Sequence, residues 1–268
     1  MLGQLKMRRN ESVSVEVQLA LPRRAKLTDQ VVLHLAREIV SGRLKPGESA
    51  PAAADLAVGF EISQPVVRES IHALVSLGML RVHQGKRTQV LTALEWNIMA
   101  PVVQQAYILE GRAEILTAHF YEVRLALESR AAGWAAERVE GEELAHLERL
   151  GQHLYDICSG TKDVEEFLAV DHEFHDVIAN ASGNEVLAGV LRSLQSFLSR
   201  AWTDSRVGAE HLDILAEQHG AIARAIAARD STAAARAMEN HIYWAMQMET
   251  PPVERALEAA SAPLDAIR

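Results

Sequence analysis

The stretch SQPVVRESIHALVSL, residues 63–77, predicts an amphipathic helix that begins at Ser63. Ser63 is a favourable N-cap residue, and Pro65 falls in the first turn, where a missing backbone N–H costs least. The apolar face repeats at helical spacing, through Val67, Ile71, Leu74 and Gly78. The polar face carries Gln64, Arg68 and His72. One face therefore packs and the other is free to contact a partner, although packing alone is the commoner meaning of such a helix.

Two further helices and a hairpin surround this stretch. A helix that Thr28 can cap precedes it, and a short helix follows Pro51. Residues 79–91 have the pattern of a hairpin with its turn at 83–87. We interpret the whole as a winged helix-turn-helix. The alternative, a three-helix structural bundle with a hairpin cap, leaves the basic turn and the polar-face Arg68 without a role.

The charge is divided unevenly along the chain. The net charge of the 268 residues is −9. Residues 1–92 hold 13 Lys and Arg against 8 Asp and Glu, a balance of +5, and the remainder holds 14 against 28, a balance of −14. A basic first domain attached to an acidic second one is consistent with DNA binding by the first.

Four motifs within the basic part occur in a characteristic order: GRLKPGE at 42–48, SxxxVRE at 63–69, GML at 78–80 and QGKRTQV at 84–90. They resemble the DNA-binding domain of GntR-family transcription regulators. The resemblance implies that the helix at 63–77 enters the major groove of double-stranded operator DNA and that the wing tip reaches the minor groove. It implies DNA contacts from Ser63, Gln64, Arg68, Gly85, Lys86 and Arg87.

The chain also departs from that family pattern. Gln64 stands where the family commonly has Arg, residues 51–55 replace its usual Ser, Glu and Arg, and Glu61 replaces a usual turn Gly. Since Gln can read adenine where Arg grips guanine, the operator sequence cannot be taken from relatives.

The acidic part has the pattern of consecutive helices, broken near residues 111, 141, 160, 182, 207 and 230. Asp171 and His175 are four residues apart, so both side chains leave one face of their helix. His219 and His241 are each 11 residues from Asp230, where the chain turns. If the last two helices form an antiparallel hairpin, the two imidazoles lie at the same height and can face each other.

One Asp and three His that share a focus form an N/O ligand set suited to zinc or a similar divalent cation. The alternative is coincidence, because a chain with 11 His often contains an Asp-x-x-x-His pair.

The segments DHEFH at 171–175, EQHGAIARAIAARD at 217–230 and MENHI at 238–242 resemble the all-helical FCD effector domain. The resemblance implies that Asp171, His175, His219 and His241 bind a divalent metal, with zinc the first choice and nickel or manganese the alternatives.

The resemblance also suggests where an effector binds. Arg124 resembles the family's Arg that points toward the metal and would grip a carboxylate in bidentate fashion. The alternative for Arg124 is an ordinary i,i+4 ion pair with Glu128. Arg200 and Trp202 are further candidates for the effector cavity, although surface and core roles are commoner for such residues.

The sequence thus predicts a mostly α protein, with a winged helix-turn-helix followed by an all-α antiparallel helical bundle. The predicted parts are a basic arm (1–26), a DNA-binding domain (27–92), a linker (93–101), an effector domain (102–250) and a tail (251–268). We expect a cytoplasmic protein, because no run reaches the roughly 20 apolar residues of a membrane span, no signal peptide is evident and Cys158 is alone.

The hypothesis is a homodimeric transcription regulator, acting in the family's usual sense as a repressor, that binds a divalent metal and a small carboxylate effector. A sugar acid is the first candidate for the effector, and a short hydroxy or keto acid is the second. The dimer follows from the resemblance and from paired half-sites on DNA. A metal-dependent hydrolase of small organic acids with an ancillary DNA-binding domain is the alternative, and a structural DNA-organising protein is a third class. We predict no enzyme, because no second carboxylate or nucleophile is evidently placed for acid–base work.

Overall fold

The computed structural model describes residues 23–83, 87–201 and 208–249. Within them the chain forms ten α-helices and a two-stranded sheet. The first domain contains α1 Arg23–Val40, α2 Ala53–Gly59, α3 Gln64–Ser76, β1 Leu80–Arg81 and β2 Gln89–Val90. A short 3-10 helix, Ala93–Glu95, follows. The remaining helices are α4 Pro101–Leu109, α5 Ala113–Arg138, α6 Gly141–Ser159, α7 Val164–Ala181, α8 Glu185–Ala201, α9 Leu212–Ala227 and α10 Ser231–Glu249.

The predicted mostly α class and the winged helix-turn-helix are confirmed, but the first helix begins earlier than expected. It starts at Arg23, inside the predicted arm, so Thr28 is not its N-cap. Thr28 is instead buried within α1, and its carbonyl accepts a hydrogen bond from the hydroxyl of Ser70 on α3 (3.3 Å). The rest of the predicted arm, residues 1–22, and the predicted tail, 251–268, lie outside the described residues.

Helix α3 matches the pattern from which it was predicted. Val67, Ile71 and Leu74 are buried against the core of the first domain. Ser63 has the extended backbone of an N-cap residue, but its hydroxyl makes no capping hydrogen bond. Its carbonyl instead accepts the backbone N–H of Val66 (3.1 Å). The apolar face therefore fixes α3, and the opposite face stays exposed.

The wing is an antiparallel pair in which Leu80 faces Val90 and Arg81 faces Gln89. The backbone N–H of Gly47 donates to the carbonyl of Val90 (2.9 Å), so the turn after α1 is attached to the wing. The buried Leu80 and Val90 fix the register, because a slip by one residue would turn both side chains outward.

Glu61 and Gly78 both have positive φ angles in this domain. Glu61, in the turn before α3, has φ +54°, a left-handed conformation that explains why glycine is the usual residue there. Gly78 has φ +71°, and a Cβ at this position would lie 2.0 Å from the carbonyl oxygen of Glu95. The chain can therefore leave α3 along this path only with glycine.

Helix α4 links the two domains. The predicted linker ends at Pro101, which is the first residue of α4, and α4 packs against α1. At its end, Glu110 accepts hydrogen bonds from Nε of Arg37 (2.6 Å) and Nη1 of Arg43 (3.0 Å). Nη1 of Arg112 donates to the carbonyl of Val40 at the end of α1 (2.7 Å). The junction is thus held by charged side chains as well as by packing.

The predicted helix breaks near residues 111, 141, 160, 182 and 230 are observed in the second domain, and residue 207 lies outside the described residues. The central helix of this domain is α5. It packs against α7, α8, α9 and α10, and Phe120 meets Phe197 of α8 edge-on at 4.9 Å between ring centroids. At Gly133 the backbones of α5 and α10 approach closely, because a Cβ there would lie 3.2 Å from the carbonyl oxygen of Ser231. The hydroxyl of Ser231 also donates to Glu137 (2.9 Å). In the described part of the chain, no helix is both long and apolar enough to span a membrane.

Candidate metal centre and DNA-facing surface

Four side chains from three helices converge inside the second domain: Asp171 and His175 of α7, His219 of α9 and His241 of α10. We call them the four-residue cluster. Each offers one ligand atom, and these atoms lie within 4.8 Å of one another. Oδ1 of Asp171 is 2.8 Å from Nε2 of His219, and Nε2 of His175 is 3.2 Å from Nε2 of His241. All four residues are buried.

Helix geometry explains this convergence. The four-residue spacing places Asp171 and His175 on one face of α7, whose N-terminus is capped by the Asp163 side chain. Helices α9 and α10 form the predicted antiparallel hairpin, and the rings of His219 and His241 have centroids 4.4 Å apart. The predicted symmetry about the turn at residue 230 therefore holds.

Each histidine has an oxygen beside its Nδ1 atom. Nδ1 of His175 lies 2.5 Å from Oε2 of Glu128. Nδ1 of His219 is 2.7 Å from the carbonyl of Leu215, and Nδ1 of His241 is 3.0 Å from Oε1 of Gln218. A carbonyl or carboxylate oxygen only accepts, so these oxygens favour the tautomer with the proton on Nδ1. A neutral imidazole in that tautomer directs its Nε2 lone pair into the cluster.

This donor set fits a cation. With the protons on Nδ1, three imidazole lone pairs and a carboxylate oxygen face one another in a buried space. Nε2 of His219 has no hydrogen-bond partner, although Oδ1 of Asp171 is 2.8 Å away. Two such acceptor atoms repel each other unless positive charge lies between them. Outer oxygens that orient metal-binding histidines are a regular feature of metal sites, and an N/O set of this kind suits zinc.

Glu128 is the functional residue that sequence analysis underestimated. It was considered only as the helical partner of Arg124, and Nε of Arg124 does contact its Oε1 at 2.5 Å. The same carboxylate also contacts His175. Burial opposes its ionisation, but the charges of Arg124 and His175 outweigh burial and lower the pKa of Glu128 to about 2. Its i,i+4 spacing from Arg124 was visible in the sequence, whereas its contact with α7 was not.

The surrounding charges also act on the cluster itself. Burial would raise the pKa of Asp171, but His175 and His219 lower it far below its ordinary value. Burial and the two neighbouring histidines lower the pKa of His241 well below its ordinary value. Burial lowers the pKa of His175 too, but the carboxylates of Glu128 and Asp171 outweigh it and raise the pKa. The cluster therefore attracts positive charge, whether protons or a cation.

A cavity of about 30 Å³ lies beside the cluster. Its walls come from α5, α7, α9 and α10, and the lining residues are Tyr121, Arg124, Phe167, Leu168, Asp171, Leu215, His241, Trp244, Ala245 and Glu249. The two interpretations of Arg124 are therefore compatible, because this residue pairs with Glu128 and also lines the cavity. The volume accommodates only one or two water molecules, far below the roughly 300 Å³ at which ordinary ligand pockets begin.

The structure does not place Arg200 in this cavity. The side chain is exposed at the end of α8, and Nη2 donates to Oε1 of Gln104 on α4 (2.6 Å). Because Gln104 is buried, Arg200 satisfies a polar group at the junction of α4 and α8 rather than facing the cluster. Trp202 lies outside the described residues.

Four of the six predicted DNA-facing residues are described in the structure, and all four are exposed. Ser63, Gln64 and Arg68 are exposed on and before α3. Arg87 is exposed at the start of the returning strand of the wing. Gly85 and Lys86 lie outside the described residues, as does Gln84. The described surface therefore presents Arg and Gln side chains suited to base edges and phosphates.

Known protein families match both the first and the second domain of this chain. Residues 27–90 match the family described as bacterial regulatory proteins, gntR family, and residues 119–243 match the FCD domain. The HTH-type transcriptional repressor NanR of Cronobacter sakazakii is 30% identical over 82% of this chain and 84% of its own length. The galactonate operon transcriptional repressor of Escherichia coli is 27% identical over 78% of this chain and 91% of its own length.

A solved structure shares the fold. Lar, described as controlling the expression of the Listeria monocytogenes agr system, is similar with a TM-score of 0.52 and 16% identity. The match covers 83% of this chain and 95% of that one.

Proposed function

Because this chain belongs to the GntR family of transcription regulators and is not an enzyme, we propose that it is a repressor whose FCD domain senses a small carboxylate in a metal-dependent manner. The observation that carries this proposal is the convergence of the four-residue cluster beside a cavity lined by Arg124. A cation and a guanidinium that face one cavity form a receptor for an anion, and the exposed face of α3 gives that binding an output.

In the first domain, α3 would lie in the major groove of operator DNA. Arg68 can donate to guanine or to a phosphate, and Gln64 can read adenine. Ser63 and the wing residues 85–87 would contact the backbone and the minor groove. We propose a homodimer, since one such domain reads only a short half-site and paired half-sites about one helical turn apart give useful specificity.

In the second domain, Asp171, His175, His219 and His241 would hold a divalent cation, with zinc as the first choice. The cation would supply a fixed positive charge for a carboxylate group of the effector. The residues of this chain do the rest. Glu128 orients both His175 and Arg124, and Arg124 can donate two parallel hydrogen bonds to the carboxylate.

For the effector we propose a sugar acid. The galactonate operon repressor, one of the relatives, is named for an aldonate. A polyhydroxy acid would contact both the charged side chains that line the cavity, such as Arg124, and its partly polar walls. A short hydroxy or keto acid remains the second candidate. Because the cavity of about 30 Å³ is smaller than either acid, binding must displace part of its wall.

Helix α5 offers a route from the effector to the DNA. Arg124 is 12 residues after Arg112, about 18 Å along one continuous helix. Arg112 contacts the carbonyl of Val40, and the neighbouring Glu110 binds two arginines of the first domain. An effector that prefers one position of α5 would thereby favour one orientation of the DNA-binding domain.

The DNA-binding role is tested with Arg68→Ala. Fluorescence anisotropy with DNA from upstream of the gene should show a loss of at least about tenfold in affinity, as expected for one base or phosphate contact. Arg236→Ala, an exposed arginine on α10, is the matched control and should bind like the wild type. Equal affinity of the two variants would argue against α3 as the reading helix.

The metal site is tested by elemental analysis of the purified protein. The Asp171→Ala, His219→Ala double variant should lack the metal that the wild type retains, because it loses two of four ligands. The exposed His153→Ala serves as control for histidine content. Equal metal content in the double variant and the wild type would refute the site.

A further inference from the structure

Tyr121 of α5 lies in the wall of the effector cavity, next to Arg124. The two residues are three positions apart and share a face of the helix, and Cζ of Arg124 is 5.2 Å from the centre of the Tyr121 ring. Tyr121 is 1% exposed and Arg124 is 5% exposed. A phenol and a guanidinium therefore border the same small, buried space.

The hydroxyl group of Tyr121 has no hydrogen-bond partner in the part of the chain that the structure describes. Buried tyrosines usually have one, because a buried hydroxyl without a partner costs stability. Packing alone would be served by phenylalanine, which the same helix buries at the neighbouring Phe120. The hydroxyl of Tyr121 therefore indicates a partner that comes from outside the chain.

Arg124 has donors to spare beside it. Its Nε donates to Oε1 of Glu128 (2.5 Å), whereas its two Nη atoms make no hydrogen bond to the residues that the structure describes. Burial raises the pKa of the Tyr121 phenol, and the opposing charge of Arg124 does not cancel this effect. The phenol therefore keeps its proton at neutral pH, and both side chains are hydrogen-bond donors toward the cavity.

We propose that Tyr121 is an effector-binding residue, whose hydroxyl group donates a hydrogen bond to the same carboxylate that the Nη atoms of Arg124 hold. This inference rests on the proposed function and deepens it, because it assigns a further donor to the effector site and states which group of the effector that donor contacts.

The chemistry of a carboxylate suits three donors. Its two oxygens offer about four acceptor sites, so two parallel bonds from Arg124 leave room for one from Tyr121. The cavity of about 30 Å³ holds one or two water molecules, and the two carboxylate oxygens can take their places and their hydrogen bonds. Because the acceptor is charged, we expect the hydroxyl of Tyr121 to strengthen binding about tenfold or more.

The informative variant is Tyr121→Phe, which removes the hydroxyl group and keeps the ring. Isothermal titration calorimetry with the full-length, zinc-loaded protein compares two six-carbon acids, galactonate and gluconate, with two three-carbon acids, glycerate and lactate. The affinity of Tyr121→Phe should fall by a similar factor of about ten or more for every acid that the wild type binds, because all four share the carboxylate.

Tyr107→Phe is the matched control. It removes the hydroxyl group of another buried tyrosine, which lies on α4 and does not line the cavity, and it should bind the acids like the wild type. Two further measurements are independent of the acids. Tyr121→Phe should retain the wild-type zinc content by elemental analysis. Its metal-free form should melt at the wild-type temperature, because no hydrogen bond to the described residues is lost.

The outcomes separate this inference from the proposed function. A Tyr121→Phe protein that binds the acids as tightly as the wild type, or that loses affinity for the six-carbon acids alone, would overturn the contact with the carboxylate and leave the sensor function intact. A marked fall in the melting temperature of metal-free Tyr121→Phe would also overturn it, because the hydroxyl would then have a partner within the protein. A zinc-loaded wild type that binds none of the four acids would overturn the proposed effector class, and this inference with it.

Discussion

Replacing Glu128 by Gln tests the electrostatic logic of the effector domain directly. The substitution keeps the size of the side chain and an oxygen for Arg124, but it removes the negative charge that lies between Arg124 and His175. Arg124 would then be a buried cation without its carboxylate partner, which is one of the most destabilising arrangements in a protein interior.

Two independent considerations give the magnitude. The pKa of Glu128 lies at about 2 instead of the ordinary 4.5, and at about 1.4 kcal/mol per pKa unit this difference is about 3 kcal/mol. Removing one partner of a buried ion pair typically costs about 3–5 kcal/mol. We therefore expect Glu128→Gln to reduce the free energy of unfolding of the effector domain by about 3 kcal/mol at pH 7. Since the pKa is lowered on folding, the wild type holds this stabilisation above pH 4.5 and loses it as the pH falls toward 2.

The assay is urea unfolding followed by circular dichroism, in the presence of a chelator so that metal release does not contribute. With a slope of about 2 kcal/mol/M, the midpoint should fall by about 1.5 M. Glu122→Gln, an exposed position on the same helix, is the control and should leave the midpoint unchanged. Without the chelator, Glu128→Gln should also weaken zinc binding by 10- to 100-fold, because Glu128 orients His175. If Glu128→Gln unfolded at the same urea concentration as Glu122→Gln, the buried charge argument would be wrong.

Further substitutions test the fold and its junctions. Gly78→Ala should destabilise the DNA-binding domain by at least about 2 kcal/mol, because its Cβ would collide with the carbonyl of Glu95 and φ is positive. Calorimetry should show a fall of roughly 10 °C in the Tm of this variant. Glu110→Gln should cost about 1 kcal/mol at pH 7. Burial raises the pKa of Glu110, but its two arginine partners outweigh burial and lower it. The difference should therefore be constant above the ordinary pKa of 4.5 and shrink as the pH falls below 4.5 toward the lowered value, which a series of melting curves at decreasing pH from pH 7 would show. Arg200→Ala should cost about 1 kcal/mol through the lost hydrogen bond to Gln104, yet leave metal content and effector affinity unchanged by elemental analysis and calorimetry. A loss of effector affinity in that variant would restore Arg200 to the cavity.

The parts of the structure that sequence analysis predicted well are those governed by a local period. The burial of α3 followed from apolar spacing, the helix breaks followed from turn residues such as glycine and serine, and the pairing of His219 with His241 followed from their equal distances to the turn. The early start of α1 at Arg23 was missed because its first turn carries polar residues without an apolar period. A start without an apolar period or a capping residue is not visible in a local pattern.

The parts that were missed or misplaced depend on contacts between distant segments. Glu128 touches α7 across 47 positions of sequence, and no spacing on α5 reveals that contact. Arg200 was considered for the cavity together with Trp202, but its direction at the end of α8 takes it to Gln104 of α4. The cavity has walls from four helices, so its volume and its lining residues emerge only once their packing is known.

The close approach at Gly133 holds the N-terminal end of α10 more tightly to α5 than its C-terminal end. The helix is clamped near Ser231 by backbone contact with α5 and by the hydrogen bond to Glu137, and its other end at Glu249 borders the cavity. A rigid rod held at one end moves least at the clamp and most at the tip. If α10 moved to widen the cavity, it would therefore rotate about its crossing with α5 at Gly133. Glu249 would then be displaced farther than His241.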